Sequence, residues 1–420
     1  MYLLDKIAGL LVNLGIYNSK RVFIFTFNSR NYGTTLQNYA LSEKLRELGY
    51  DPKTIRWGRH YYRTLGGRPD NLKPFWFEHV PRTKACYSQA ELKGIMSHGN
   101  KIVFGGDAIF RSKFYKLRDP GNSPMHILRY YGDFVSGRKT MIAYAPSFGV
   151  DRFDGPEFVA DECKKLIKRF DRVSVREASG IEILKNKFGV DSVEAVDPVL
   201  LYKADKYEKL IESSKGIKTH DKEYIGYMVF VDNTLNKIRK NNALSHETML
   251  NIRFIRNDQV NTVEQRLHNL NTVEQWLYNV RQAKCIITDS YHCLLFAIIF
   301  HRPFIAVLPE KSDSRIPSLL NYLGLSGQIK TLMEIKPEDF NTSTDWNRID
   351  ELVNKKALDS VNYLKEALAI KPSYKAPYVN EKVTEVRKRY DKAYKYRLKE
   401  RKYYKLAKSI REEYNLEGNE

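Results

Sequence analysis

Short apolar runs alternate with longer amphipathic stretches along most of this chain, and that alternation is the strongest constraint on its fold. Candidate strands are 21–27, 52–57, 101–104, 139–145, 172–175 and 193–196. A second series follows at 223–231, 250–255, 285–288 and 303–308. Helical patterns lie between several of them, for example 34–48 and 179–188. Strand–helix–strand repetition builds parallel sheets covered on both faces. Two such series in 420 residues predict two Rossmann-like lobes with a polar, Lys-rich boundary near 200–222. The expected fold class is α/β: an N-terminal lobe over 1–205, a C-terminal lobe over 222–370 and a basic helical tail over 371–420.

Two stretches interrupt the pattern. Residues 58–83 hold Gly58, Gly66, Gly67, three Pro and many aromatics, and read as a long excursion of the kind that is often functional. The ten residues 261–270 are repeated with changes at 271–280. Two copies are too few for a solenoid, so they read as a local duplication that lengthens a helical connection.

Composition narrows the function. Apolar residues make up 42% and charged residues 29%, which is the balance of a soluble globular protein. Four cysteines show no ligand spacing, which argues against a disulfide scaffold or a zinc ribbon and for a reducing compartment. No run reaches the ~18–20 apolar residues that span a bilayer. Residues 7–16 are interrupted by Asn13 and follow Asp5 and Lys6, so they read as a short helix on the first lobe, ahead of a membrane-surface helix. Seventy Lys and Arg against 50 Asp and Glu give +20, a charge that calls for anionic partners. Residues 381–411 alone carry 13 Lys and Arg and four acids, with Val383, Val386, Tyr390, Tyr394, Leu398, Leu406 and Ile410 at roughly helical spacing. A basic amphipathic helix of this kind reads as membrane-surface or partner-binding; the competing reading packs its stripe back on the body. Nucleic acid is disfavoured as the partner, because the charge is attached to no nucleic-acid module.

In doubly wound folds, ligands bind beyond the carboxyl ends of the strands, and the polar residues of interest fall there. Asn31, Tyr32 and Gly33 follow the first strand and open a helix, a ready anion site or simply a turn. Gly105-Gly106-Asp107 follows the third, with Asp107 as a base, a hydroxyl ligand or a helix cap. Arg176 ends another strand, where a guanidinium clamps a carboxylate or phosphate, or pairs with Glu177 or another acid. Pro146 to Gly149 reads as a turn, and Asp197-Pro198 as structural. In the second lobe, Asp289-Ser290-Tyr291-His292 opens an apolar helix, which places His292 on the crevice side as a general acid or base, or as a structural hydrogen-bonder. Arg315 lies where a charged loop can bring it to a ligand.

Several ordered motifs resemble the polysaccharide pyruvyl transferase family. They are Asn31-Tyr-Gly-Thr-Thr-Leu-Gln-Asn-Tyr-Ala-Leu41, Gly105-Gly-Asp-Ala-Ile-Phe110, Tyr144-Ala-Pro-Ser-Phe-Gly149, Ser174-Val-Arg-Glu177, Asp197-Pro-Val-Leu200 and Thr288-Asp-Ser-Tyr-His-Cys-Leu-Leu-Phe296, followed by Arg302-Pro-Phe304 and Ser314-Arg315-Ile316. The resemblance spans roughly 21–325. Three positions depart from the family pattern: Ala108 replaces a polar residue, Cys293 a Gly, and Ser290 stands where some members carry an Arg.

The resemblance implies a two-lobed fold similar to the GT-B glycosyltransferases. It also implies transfer of pyruvate from phosphoenolpyruvate to two sugar hydroxyls, forming a cyclic ketal in cell-surface polysaccharide biosynthesis. His292 and Asp107 are then the expected catalytic residues, and Asn31, Tyr32, Gly33, Arg176, Ser290 and Arg315 the expected substrate ligands. No metal and no cofactor are expected beyond phosphoenolpyruvate as donor substrate. The expected partners are a sugar or lipid-linked acceptor and an anionic membrane surface reached through 381–411, with the protein cytoplasmic and peripheral on the inner face. The alternatives are a GT-B-like enzyme using a nucleotide sugar and a non-catalytic polysaccharide-assembly protein.

Overall fold

The computed structural model describes residues 20–27, 31–57, 71–112, 124–230, 238, 241, 243–245, 252–255, 271–308 and 314–395. The apolar stretch 7–16, most of the excursion at 58–70, the first repeat copy 261–270 and the tail from 396 lie outside the described residues.

The first lobe holds β1 (Arg21–Phe25), β2 (Asp51–Trp57), β3 (Arg82–Cys86), β4 (Lys101–Gly105), β5 (Gly137–Tyr144), β6 (Arg172–Val175) and β7 (Val193–Glu194). They lie parallel in the order 3-2-1-4-5-6-7. The inner strands are near-continuous apolar runs because helices cover both faces of the sheet, and β4 is buried along its whole length. The second lobe holds β8 (Ile225–Met228), β9 (Ile252–Phe254), β10 (Cys285–Thr288), β11 (Phe304–Val307) and β12 (Ile329–Lys330), again parallel, in the order 12-11-10-8-9. β13 (Ser373–Lys375) returns to the first lobe and pairs antiparallel with β5. Both sheets are doubly wound. The order reverses between β1 and β4 in one and between β8 and β10 in the other, and these switch points are where such folds bind ligands.

Six helices matter to the site. They are α1 (Tyr32–Glu47), α2 (Ala204–Ser213), α3 (Val273–Gln282), α4 (Tyr291–Ile299), α5 (Arg315–Leu323) and α6 (Trp346–Ala369). α4 is buried on every side, as its unbroken apolar sequence requires. One apolar core runs through both lobes, joining Leu36 of α1 to Trp276 of α3, Leu294 of α4 and Leu364 of α6. The region around 200–222 is built: Pro198–Leu201 form a 3-10 turn, and α2 presses Tyr207 against Phe296 of α4 at 4.8 Å. Residues 371–395 lie on the first lobe. Beyond β13, the helix Glu381–Lys395 (α7) buries Val383 and Val386 in the core of that lobe and pairs Arg387 with Asp133.

Candidate active site

α1 begins directly after the β1 switch point. Asn31 caps it in extended conformation, with the Gly33 N–H donating to Asn31 Oδ1 at 2.8 Å. On its first turns the helix carries Thr34, Thr35, Gln37 and Asn38, all buried and all polar. Thr35 accepts from Trp76 Nε1 and Asn38 donates to the Thr34 carbonyl, while Thr34 and Gln37 face the carboxyl end of β4. There the backbone turns through Gly106 and Asp107, both at positive φ (75° and 50°). A non-glycine residue in that region is strained, and such strain gathers at functional sites. Asp107 is held there from three sides. Its backbone N–H donates to Gln37 Oε1 at 2.9 Å, Thr34 Oγ1 donates to its Oδ2 at 2.7 Å, and Arg315 Nη1 stands 3.5 Å from its Oδ1. Burial pushes the Asp107 carboxyl up, but His292, Arg315, Arg176 and the Thr34 hydroxyl outweigh it and hold it below the ordinary value.

Arg176 ends β6 with its side chain 1% exposed. Its partner is Asp197, whose Oδ2 lies 2.8 Å from Arg176 Nη2; Glu177 instead accepts from Ser147, Phe148 and Gly149 and closes the loop at 147–149. Asp197 is fully buried at the cap of the 3-10 turn, where the Val199 N–H donates to its Oδ1 at 3.0 Å. Burial opposes its ionisation, yet Arg176 and His292 pull its pKa down to about 2. Arg176 Nη2 also donates to Gln37 Oε1 at 3.2 Å, while Nε and Nη1 are buried without a hydrogen-bond partner. An orphaned pair of charged donors is a costly feature unless something anionic completes it.

His292 comes from the other lobe, at the start of α4. Its Nε2 lies 3.3 Å from Gln37 Oε1 and 3.3 Å from Asp197 Oδ2. Both neighbours are acceptors, because the Asp107 N–H fixes which Gln37 atom is the oxygen, so Nε2 carries a proton. The ring packs against α1 so closely that a Cβ built on Gly33 would lie 2.1 Å from its Cγ. Gly33 is therefore required by a close approach and not by its own dihedral angles. Tyr291 stands beside this cluster, with the Arg176 and Arg315 guanidiniums 5.2 and 5.4 Å from its ring centre.

The structure thus brings together Gly33, Asp107, Arg176, His292 and Arg315 from the sequence reading and adds Gln37, Asp197 and Tyr291. Tyr32 works between the lobes: its ring stacks on Trp276 at 5.1 Å and its hydroxyl donates to the Asn271 carbonyl at 3.0 Å. Ser290 is the cap of α4, accepting from the Cys293 N–H at 3.4 Å. Asp197, structural by its sequence context, is the buried ion-pair partner of Arg176, and Gln37 joins the cluster from a motif that gives it no separate role. The run of uncharged polar residues on the first turns of a central helix is the signal that marks Gln37.

Two solved structures are among those to which the chain is similar. The UDP-GlcNAc 2-epimerase from Neisseria meningitidis bound to UDP-GlcNAc is 11% identical, covers 87% of this chain and 97% of its own, and has a TM-score of 0.42. The glycosyltransferase SnogD from Streptomyces nogalater is 10% identical, covers 88% and 99%, and has a TM-score of 0.38. No curated protein sequence matches the chain. The profile of the polysaccharide pyruvyl transferase family matches residues 31–310. Because that match takes in well over half of the chain and every member of the cluster except Arg315, this protein belongs to the polysaccharide pyruvyl transferase family.

Proposed function

We propose that this protein transfers pyruvate from phosphoenolpyruvate to two hydroxyls of a sugar, forming a cyclic ketal and releasing phosphate. Beside the family, one observation carries the reading: a protonated His292 nitrogen buried between Asp197 and Gln37, next to an Arg176 with two unpartnered donors. The reaction needs both. The donor is a trianion at most, so its carboxylate and phosphate need fixed cations, and Arg176 and Arg315 supply them from opposite lobes. The methylene carbon must take a proton as the central carbon becomes cationic, and His292 gives it. One sugar oxygen then bonds to the central carbon and loses its proton, the phosphate leaves with its bridging oxygen, and the second hydroxyl adds in the same way. The Asp107 carboxylate, held ionised by its neighbours, accepts or orients those hydroxyls. Asp197 touches no substrate; it positions the imidazole and neutralises Arg176 between turnovers.

Arg176, Asp197 and His292 are buried while Asp107 and Arg315 stay partly exposed, so substrates reach the buried groups past Asp107 and Arg315 or as the lobes part. Among the described residues, the polar contacts between the lobes there include His292 to Gln37 and Asp197, Arg315 to Asp107, Tyr32 and Asn71 to Asn271, and Ser179 to Ser314. Several of these involve the groups that the donor's anions would engage, so donor binding and opening compete for the same side chains. The acceptor is proposed to be lipid-linked, in keeping with the basic tail. Incubation with phosphoenolpyruvate and a panel of lipid-linked glycans, with phosphate release and product mass measured, tests the reading. Transfer from a nucleotide sugar with no ketal formed from any acceptor would replace it.

A further inference from the structure

A cavity of about 660 Å³ lies away from the cluster. Arg281 and Arg302, which line it, stand just before β10 and β11, whereas Asp289 to His292 follow the carboxyl end of β10. The cavity therefore opens at the opposite edge of the second sheet. A four-residue strand alone puts roughly 13 Å between the two edges. Both connections between the lobes also line it, through Tyr202, Lys203 and Asp205 on one side and Asp350 of α6 on the other.

Its lining sets Lys203, Arg281 and Arg302 against Asp205, Glu208 and Asp350, so cationic and carboxylate groups face the same space. Neither Arg281 nor Arg302 is in an ion pair among the described residues. Arg302 donates Nε to the Phe300 carbonyl at 2.9 Å, and Arg281 lies 5.7 Å from the Tyr278 ring centre. Burial, and then the neighbouring Arg281, pull the Arg302 guanidinium below its ordinary pKa. Asp350 is engaged with His301, 3.0 Å from its Nε2. His301 stacks on Trp346 at 5.1 Å and has a positive φ of 53°, a conformation that holds the turn into β11 in place. Asp205 and Glu208, on α2, make no ion pair among the described residues, and their carboxylates can accept from hydroxyl donors. The volume is that of an ordinary small-ligand site, and two like-charged guanidiniums on one wall ask for an anion.

We propose that this cavity binds a small phosphate-bearing sugar, its phosphate on Arg281 and Arg302 and its hydroxyls on Asp205 and Glu208. The site is separate from the cleft, so the proposal stands whether or not pyruvyl transfer is the reaction. The test is a calorimetric titration of the full chain with glucose 1-phosphate, inorganic phosphate and glucose. Glucose 1-phosphate is expected to bind saturably and more tightly than inorganic phosphate, and glucose not to bind. Each lost guanidinium should weaken binding roughly tenfold or more, the usual scale of a charge-assisted hydrogen bond. Arg281→Gln gives the single-step loss at a half-exposed position, and Arg281→Gln with Arg302→Gln gives the double. Melting curves show whether both variants fold, and their rate with phosphoenolpyruvate should equal that of the parent. Arg176→Ala should bind glucose 1-phosphate as the parent does. No saturable binding, equal affinity for inorganic phosphate, or binding that survives loss of both arginines and disappears in Arg176→Ala would each overturn the proposal.

Discussion

A single methyl group at Gly33 tests the whole cluster. Its carbon would sit 2.1–2.4 Å from three atoms of His292, a distance no real contact reaches, so the imidazole must move away from Gln37 and Asp197. We expect Gly33→Ala to cost about 1–3 kcal/mol in stability and at least ~100-fold in kcat, the scale of a lost general acid. A variant with parental kcat would show that His292 is not the proton donor. Arg176 gives a second expectation. Arg176→Ala should raise the apparent KM for phosphoenolpyruvate, and Arg176→Lys should restore it only in part, because an ammonium lacks the planar fork. Full rescue by Lys in steady-state kinetics would reduce Arg176 to a diffuse positive field. Asp197 links the site to acid stability. Its folded pKa, about 2, lies below the ordinary 3.8, so its contribution is complete above that ordinary value and is lost as pH falls through about 2. Asp197→Asn should remove this part of the acid transition. It should also lower the melting temperature at neutral pH, since it strands Arg176 as a buried, unpaired charge. An unchanged melting curve at pH 7 contradicts the pairing. Of these residues, Arg176, His292 and Asp107 were legible because each follows a strand end. Gln37 and Asp197 carry weaker local signals, a polar run on a central helix and a strand end, and their roles arise only where segments around 37, 107, 176, 197 and 292 meet.

Among the elements, α6 ties the two lobes to one another. It starts on the second lobe, where Trp346 stacks on His301 and the Leu352 carbonyl accepts from the Tyr322 hydroxyl at 3.2 Å. It ends on the first, where Tyr363 donates to the Ala143 carbonyl at 2.8 Å and Ser360 Oγ accepts from the Val196 N–H at 3.0 Å. Tyr363→Phe keeps the ring and removes a buried donor, leaving the Ala143 carbonyl one partner short. A loss of about 1–2 kcal/mol in chemical denaturation is expected, with kcat near the parent value. A stability loss below the error of the measurement would mean that this hydrogen bond does not anchor the helix. The long amphipathic elements were readable from their period, and β6 and β10 coincide with the expected 172–175 and 285–288. β13 was not, since three residues at a sheet margin are too short to show alternation. β3 was not either: its side chains are half exposed, so the apolar signal of a central strand is missing. Residues 183–188 form a π-helix after Ala178–Glu182, a change of winding that a search for 3.6-residue periodicity cannot separate from an ordinary helix.

At the scale of the molecule, the charge of the chain and the placement of its last helix make different demands on the tail. No described helix is long and apolar enough to cross a membrane. We propose that the protein reaches its acceptor as a peripheral protein, held to anionic lipid by residues in 381–411. The described part of that segment is already committed to the fold: Val383 and Val386 are buried, and Arg387 reaches Asp133, itself buried. Deleting everything from 381 would therefore open the first lobe as well as remove charge. Residues 396–411 still carry seven Lys and Arg against one Glu. Each cation near an anionic surface contributes roughly 1 kcal/mol, and only some of the seven can lie at the surface at once, so the gain is a few such steps. Truncation after 395 should leave the melting temperature unchanged and release the protein from phosphatidylserine-containing liposomes in a co-sedimentation assay. High salt should do the same to the full chain, because the screening length shrinks to ~3 Å at 1 M. Truncation after 380 should lower the melting temperature as well. Liposome binding that survives loss of 396–420 at low salt would assign the membrane contact to another surface. Binding absent from the full chain would leave the tail as part of the first lobe and nothing more.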